Sequence, residues 1–198
     1  KYPIQAPADF AAFAERQAAV LGAAAAQGAR VAVLPEYLSL ELAAPFDAGT
    51  RADLHASLPA IQRYREDWLA SYARLAASLD MYVVAGTFLL AQGNGRYRNR
   101  CDVFAPQGAH LWQDKLQLTG FEKGLGVIEG GDALKVFDLD GVRTGVAVCY
   151  DSEFPLPVRA QAEAGARLLL VPSCTDTDAG ATRVRVGCLA RALENRLF

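Results

Sequence analysis

Three residues with complementary chemistry stand where strand-like runs of sequence end. Glu36 follows the apolar run RVAVLP, Lys115 closes AHLWQDK, and Cys149 closes VRTGVAVCYD. In α/β proteins the loops beyond strand ends vary over a rigid base, and ligand sites form there. Singly, each residue has an ordinary reading: a solvated loop carboxylate, an exposed strand terminus, a packed thiol. Jointly they make a mechanism. A free thiol with a pKa of about 8.5 is mostly protonated at neutral pH and needs a base or a cation beside it. A carboxylate whose pKa is raised by burial can take that proton. An ammonium can favour the thiolate and then hold an oxyanion on the attacked carbon.

Histidine chemistry has little to draw on, because the chain contains only His55 and His110. His110 lies five residues before Lys115 on an alternating strand, and odd spacing puts the two on opposite faces. His55 falls in the loop before a helix and reads as surface. The four cysteines, Cys101, Cys149, Cys174 and Cys188, are far apart, with no CxxC or Cys/His cluster to suggest zinc. A chain this long and this apolar does not need disulfides, so reduced thiols are expected.

The elements that must position these residues follow from periodicity. A helix is expected over residues 8–27, stopped by Gly28, and then a buried strand over Arg30–Leu34 ended by Pro35. Residues 36–56 read as loop. A second helix is expected from Ser57 as N-cap with Pro59 in its first turn, its apolar face carrying Ile61, Tyr64, Trp68, Tyr72, Leu75 and Leu79. Met81–Leu90, Tyr97–Ala105 and Ala109–Lys115 read as a meander of three antiparallel strands. The Gly-rich stretch 116–131 has no clear period, and loops that long usually have a function. Asp140-Gly141 marks a hairpin turn between Leu134–Leu139 and Val142–Cys149. A helix from about Pro155 to Gly165, a buried strand over Arg167–Val171 and a final helix from about Ala181 to Asn195 complete the reading. Strands and helices alternate at both ends around a hairpin-rich middle, which favours one α/β domain over residues 1–198 with mixed sheets between helices.

Composition narrows the partners. The chain has 198 residues, 52% hydrophobic and 21% charged, with a net charge of −2 and no basic block to neutralise a phosphate backbone. Nucleic acid is therefore not an expected partner. Nor is a membrane: no apolar run reaches the ~18 residues of a span, and no signal pattern opens the chain. A cytoplasmic protein is expected. Arg196-Leu197-Phe198 reads as the lead-in to a further strand, so the domain looks incomplete at both ends.

With these residues in place, the sequence resembles the nitrilase superfamily of carbon–nitrogen hydrolases, in its amidase-like branch. The matching segments are QGARVAVLPEY (27–37), DKLQLTGFE (114–122), GVAVCYDSEFP (145–155) and ARALEN (190–195), in family order along the chain. The resemblance implies an α-β-β-α sandwich with two mixed β-sheets packed between helices. It makes Glu36 the general base, Lys115 the oxyanion-stabilising cation and Cys149 the nucleophile. It also implies Glu122 as a second glutamate near the substrate, and the Tyr150 N–H as a second oxyanion donor. Asp151, Glu153 and Arg159 would hold the nucleophile elbow through ion pairs, and Arg191 and Glu194 would pack the last helix. The implied activity is hydrolysis of a small amide to acid plus ammonia through a cysteine thioester, needing no metal or organic cofactor. Nitrile and N-carbamoyl amine substrates are the alternatives, and a catalytically silent binding or assembly module is the rival of another class. Homodimers or larger assemblies are typical of the family. Gln117-Leu118 departs from the KxHL of many relatives.

Overall fold

The computed structural model describes residues 2–198. Helix α1 (Phe10–Ala26) begins where the Asp9 carboxylate accepts the Ala12 N–H, and it buries Phe13, Gln17 and Leu21 at four-residue steps. Strand β1 (Val31–Val33) leads to a 3-10 turn over Leu38–Ala43. Short helices α2 (Ala48–Ala52) and α3 (Leu54–Ile61) follow, then a 3-10 turn over Gln62–Tyr64 and helix α4 (Arg65–Ser78). Strands β2 (Tyr82–Val84), β3 (Phe88–Ala91), β4 (Tyr97–Phe104) and β5 (His110–Asp114) come next, with α5 (Gly120–Leu125) and β6 (Ile128–Glu129) behind them. The last third holds β7 (Val136–Leu139), β8 (Val142–Val146), a 3-10 turn over Cys149–Glu153, α6 (Pro155–Glu163), β9 (Leu168–Leu170) and α7 (Asp178–Asn195).

These elements make two mixed sheets with helices outside them. In the larger sheet β4 is central: β2 and β3 pair with it antiparallel, β5 pairs antiparallel along Arg100–Phe104, and β6 pairs parallel at Tyr97 and Arg98. β1 joins through parallel pairing with β2. The smaller sheet runs β7-β8-β9, antiparallel and then parallel. Strand alternation divides the core. Val83, Ala85 and Phe104 face α1 and α4, where Trp68 stacks on Phe13 and meets Phe88 edge to face. Tyr82, Val84, Cys101 and Val103 face the other sheet and meet Phe137, Leu139, Val146 and Val148. Ala147, Val158, Ala166 and Leu197 fill the layer under α6. This is the α-β-β-α layering expected from the sequence: Cys101 and Val103, two residues apart on β4, share one core, and the adjacent Phe104 belongs to the other.

Several local readings are corrected. Residues 36–56 are helical in part, because Asp47 and Asp53 cap α2 and α3 through the Thr50 and His55 N–H groups. Ser57 is no cap; its hydroxyl donates to the Thr50 carbonyl, and Pro59 lies inside α3. Met81–Leu90 splits in two at Gly86, whose φ is +68° and whose Cβ, if it had one, would stand 2.1 Å from the Pro35 carbonyl oxygen. Only glycine permits that approach. The 116–131 stretch holds α5 and β6. β1 and β9 are half-buried rather than buried, with Val33 42% exposed, because each lies at the end of its sheet's strand order. An apolar run reads the same in an end strand as in a central one. The Asp140-Gly141 turn has positive φ at both residues, as a type I′ turn requires. Phe198 exchanges backbone hydrogen bonds with Arg167 and Leu169 beside β9.

Candidate active site

Glu36, Lys115, Cys149 and Glu122 come from four separate segments and meet in the interior, each 6% exposed or less. Glu36 follows β1, after Leu34 has paired with Val84 and Pro35 has closed the strand. Tyr37 takes a left-handed conformation (φ +61°) held by the Thr87 hydroxyl, which accepts its N–H at 2.7 Å. Lys115 extends the β4–β5 ladder by one residue, its N–H donating to the Asn99 carbonyl at 2.9 Å. Cys149 does not close a strand. β8 ends at Val146, and Cys149 opens the next 3-10 turn with φ +47°, its N–H donating to Pro172 O beyond the end of β9. A non-glycine residue held in that conformation marks a site worth its strain.

The ammonium organises the cluster. Lys115 Nζ lies 2.8 Å from Glu36 Oε1 and 2.8 Å from Glu122 Oε2. An ammonium has three N–H donors, so one is left for a substrate atom. Glu122 is the N3 residue of α5, and its carboxylate turns back through a capping box: Oε2 accepts the Thr119 N–H at 2.9 Å while Thr119 Oγ1 accepts the Glu122 N–H at 3.2 Å. Oε2 also accepts the Thr119 hydroxyl at 3.0 Å, and Oε1 accepts the Tyr37 hydroxyl at 2.6 Å and Asn99 Nδ2 at 3.2 Å. The Glu36 contacts converge on one oxygen, Oε1, which accepts Asn99 Nδ2 at 2.9 Å and Lys115 Nζ at 2.8 Å.

This difference in donors accounts for opposite shifts. Burial pushes the Glu36 carboxyl above its ordinary value, and Lys115 only partly offsets that. Burial acts on Glu122 in the same direction, but Lys115, Tyr37 and Thr119 together bring it below. Burial works against the Lys115 charge, and the two carboxylates outweigh it, so the amine stays an ammonium. The Cys149 thiol is pushed up to about 12, by burial first and by the Glu36 charge second. Cys149 Sγ lies 3.6 Å from the Cys174 carbonyl oxygen.

The elbow is held by backbone hydrogen bonds to Asp151 and, as expected, by an ion pair at Glu153. Asp151 accepts the N–H groups of Leu116 (3.2 Å), Gln117 (2.7 Å) and Val148 (3.1 Å) and has no ion-pair partner among the described residues, which corrects the role expected of it. Arg159 pairs with Glu163 on the exposed face of α6, four residues on, and takes no part in the elbow. Glu153 pairs with Arg183 of α7. Arg191 is buried, pairs with Glu194 and donates to Ser152 O at 3.3 Å, so it ties α7 to the turn that carries Cys149. The Tyr150 N–H lies second in that turn, ahead of Asp151, the first residue whose N–H finds a carbonyl three residues back.

His110 is on the other face, as expected, where Nε2 lies 3.0 Å from Asp102 and the ring stacks on Phe104; His55 is exposed. Sequence reasoning missed Asn99, Tyr37 and Thr119. Asn99 had a signal: it shares an alternating face with Cys101 and Val103, and asparagine is a poor strand former. The TGFE run (119–122) carried the capping-box pattern that aims Glu122 backwards.

Two clefts reach the cluster. One of about 240 Å³ is lined by Cys149, Tyr150, Thr119 and Arg183, and one of about 530 Å³ by Glu36, Tyr37, Leu38 and Leu40; Cys174 and Thr175 border both. Among the described residues no group of three or more His, Cys, Asp or Glu is arranged to hold a metal ion, and no helix is long and apolar enough to cross a membrane.

Comparison with known proteins adds the lineage. A family model described as carbon–nitrogen hydrolase matches residues 2–198. The probable hydrolase YhcX of Bacillus subtilis is 30% identical over 167 residues, covering 84% of this chain and 32% of that protein. The omega-amidase NIT2 of Bos taurus is 25% identical over 191 residues, covering 92% of this chain and 65% of that protein. The chain thus spans about a third of the first relative and just under two thirds of the second. A carbon–nitrogen hydrolase from Helicobacter pylori G27 superposes with a TM-score of 0.80 at 18% identity, over 100% of this chain and 68% of that one. An amidase from Nesterenkonia sp. superposes with a TM-score of 0.74 at 23% identity, over 96% of this chain and 69% of that one. Both carry the same fold.

Proposed function

Since the chain belongs to the carbon–nitrogen hydrolase family, we propose that it hydrolyses a small non-peptide amide to acid and ammonia through a thioester on Cys149. The observation that carries this reading is the meeting of Glu36, Lys115 and Cys149 around one buried ammonium with a cleft at the thiol. Support for the assignment of the base comes from the donor count. Glu122 has both oxygens occupied by fixed donors, whereas the Glu36 contacts fall on Oε1 and leave Oε2 for a proton.

In the first half-reaction Glu36 takes the thiol proton as Sγ bonds to the amide carbon, and the carbonyl electron pair moves onto oxygen. The remaining Lys115 N–H and the Tyr150 N–H hold that oxyanion. Collapse breaks the carbon–nitrogen bond, and Glu36 returns its proton to the departing nitrogen. Water then attacks the thioester with Glu36 again as base, and the acid leaves as the thiol is re-formed. A thiol pushed up to about 12 is no nucleophile on its own. A carboxylate raised by burial is the base that suits it.

The test is ammonia release from a panel of short amides by the wild-type protein and by Cys149→Ala. Turnover in the variant should fall by about a thousandfold or more, and a quenched wild-type reaction should carry an acyl mass increment on the Cys149 peptide. Equal activity in the two proteins would remove the nucleophile assignment.

A further inference from the structure

Asn99 sits in the middle of β4, wholly buried, directly across the ladder from Lys115. Its Nδ2 donates to Glu36 Oε1 at 2.9 Å and to Glu122 Oε1 at 3.2 Å, so one amide group serves both carboxylates. Its Oδ1 is buried and finds no donor among the described residues. The orientation is dictated by chemistry, because a flipped amide would aim its carbonyl at two carboxylates, which only accept. A buried orphan carbonyl is costly and calls for a reason. Packing supplies none. A valine would suit the face that Asn99 shares with Cys101 and Val103, and would carry no unsatisfied atom.

We propose that Asn99 is a positioning residue whose amide pins Glu36 Oε1, so that Oε2 is held toward the Cys149 thiol and the carboxyl ionises at a pH where the thiol can use it. A donor aimed at a carboxylate favours its charged form. Lys115, Glu122, Cys149, Tyr37 and Cys174 are the other titratable groups that act on or feel Glu36. Of these only Lys115 opposes the upward push of burial by its charge. Asn99 adds a second donor without adding a charge. Glu122 depends on it less, having Tyr37, Thr119 and Lys115 besides.

The inference rests on Glu36 as base, and its test separates the two. The rate of iodoacetamide addition at Cys149, mapped by mass spectrometry across pH, requires no substrate. In the wild-type protein the rate should rise through an inflection set by Glu36, and Glu36→Gln should abolish that inflection. Asn99→Ala should move the inflection to higher pH by about one unit, lowering the rate about tenfold at any pH below it. Asn99→Asp keeps the shape but exchanges the donor for a further negative charge, and should move it at least as far. An unmoved inflection in Asn99→Ala, or a wild-type profile in Asn99→Asp, overturns the proposal while leaving the base intact. A wild-type profile in Glu36→Gln overturns the base itself. Should Asn99→Ala not fold, Asn99→Ser, too short to bridge two carboxylates, is read by the same profile with the same outcomes.

Discussion

Glu36 and Glu122 grip one ammonium at the same 2.8 Å, yet their other contacts differ in kind. Glu122 accepts from Tyr37, Asn99 and both donors of Thr119, and its pKa lies below the ordinary value; Glu36 lies above it. One carboxylate is a fixed anion and the other can exchange a proton.

Glutamine at the two positions should therefore do different things. Glu36→Gln removes the proposed base, and turnover should fall by about 10²–10⁴-fold with little change in melting temperature. Both changes leave Lys115 with one carboxylate. A glutamine at position 36 can keep its carbonyl where Oε1 accepts, whereas Glu122→Gln turns an amide NH₂ toward groups that donate. It should lower stability by about 2–4 kcal/mol as well as activity. Ammonia release and thermal denaturation on the same preparations check both; if the losses are exchanged, so are the roles.

Gly86 carries the Glu36 segment. Its Cβ would meet the Pro35 oxygen at 2.1 Å, whereas a Cβ at Gly95, where φ is also positive (+76°), would meet nothing within 4 Å. Gly95→Ala should cost about 1 kcal/mol from backbone strain alone. Gly86→Ala adds a backbone collision and should cost about 2–4 kcal/mol, with Glu36 displaced. Denaturant midpoints of the two variants, with Cys149 alkylation as the readout at the site, measure the difference.

The sequence made the layers legible because they depend on periodicity. Phe13, Gln17 and Leu21 recur at helical steps on α1, as Trp68 and Tyr72 do on α4, and β4 alternates between two cores. It made Glu36, Lys115 and Cys149 visible because each follows a strand-like run. It hid whatever depends on register. That Asn99 stands opposite Lys115 requires knowing how β4 and β5 slide along each other. The split at Gly86 is set by the approach of Pro35 from 51 residues away in the chain. The expected Arg159 ion pair failed for a simpler reason: an i,i+4 partner, Glu163, is available on its own helix.

Asp151 ties the Lys115 loop to the Cys149 turn through three N–H groups, and burial pushes its carboxyl up to about 6. Asp151→Asn replaces one acceptor oxygen by a donor, leaving at least one of those N–H groups unpaired. The expected cost is about 1–3 kcal/mol. Activity should fall further than that loss of folded protein would explain, since Leu116 and Val148 flank Lys115 and Cys149, the proposed oxyanion donor and nucleophile. Activity per folded molecule, with the folded fraction taken from circular dichroism, separates the two effects.

Asp102 makes the counterpart on the helix-facing side of β4. It is wholly buried, accepts Arg65 through both oxygens at 2.6 and 2.8 Å, and lies 3.0 Å from His110 Nε2. Burial would raise its pKa; the Arg65 and His110 contacts outweigh burial and hold it below the ordinary value. A depressed carboxyl contributes stability above its unfolded pKa of about 3.9 and loses that contribution as pH falls through the lower folded value. Asp102→Asn should therefore be less stable than wild type at pH 7 by about 3–5 kcal/mol, because Arg65 is stranded at 12% exposure. Below about pH 4 the gap should narrow as the wild type protonates. Melting temperatures from pH 2 to 7 trace the two curves. Since Asp102 faces away from Cys101 and the sheet-to-sheet core, the pH dependence of Cys149 alkylation should be the same in both proteins wherever both are folded. A shift in that profile would mean that the two faces of β4 are electrostatically joined, and would undo the separation by alternation on which this prediction stands.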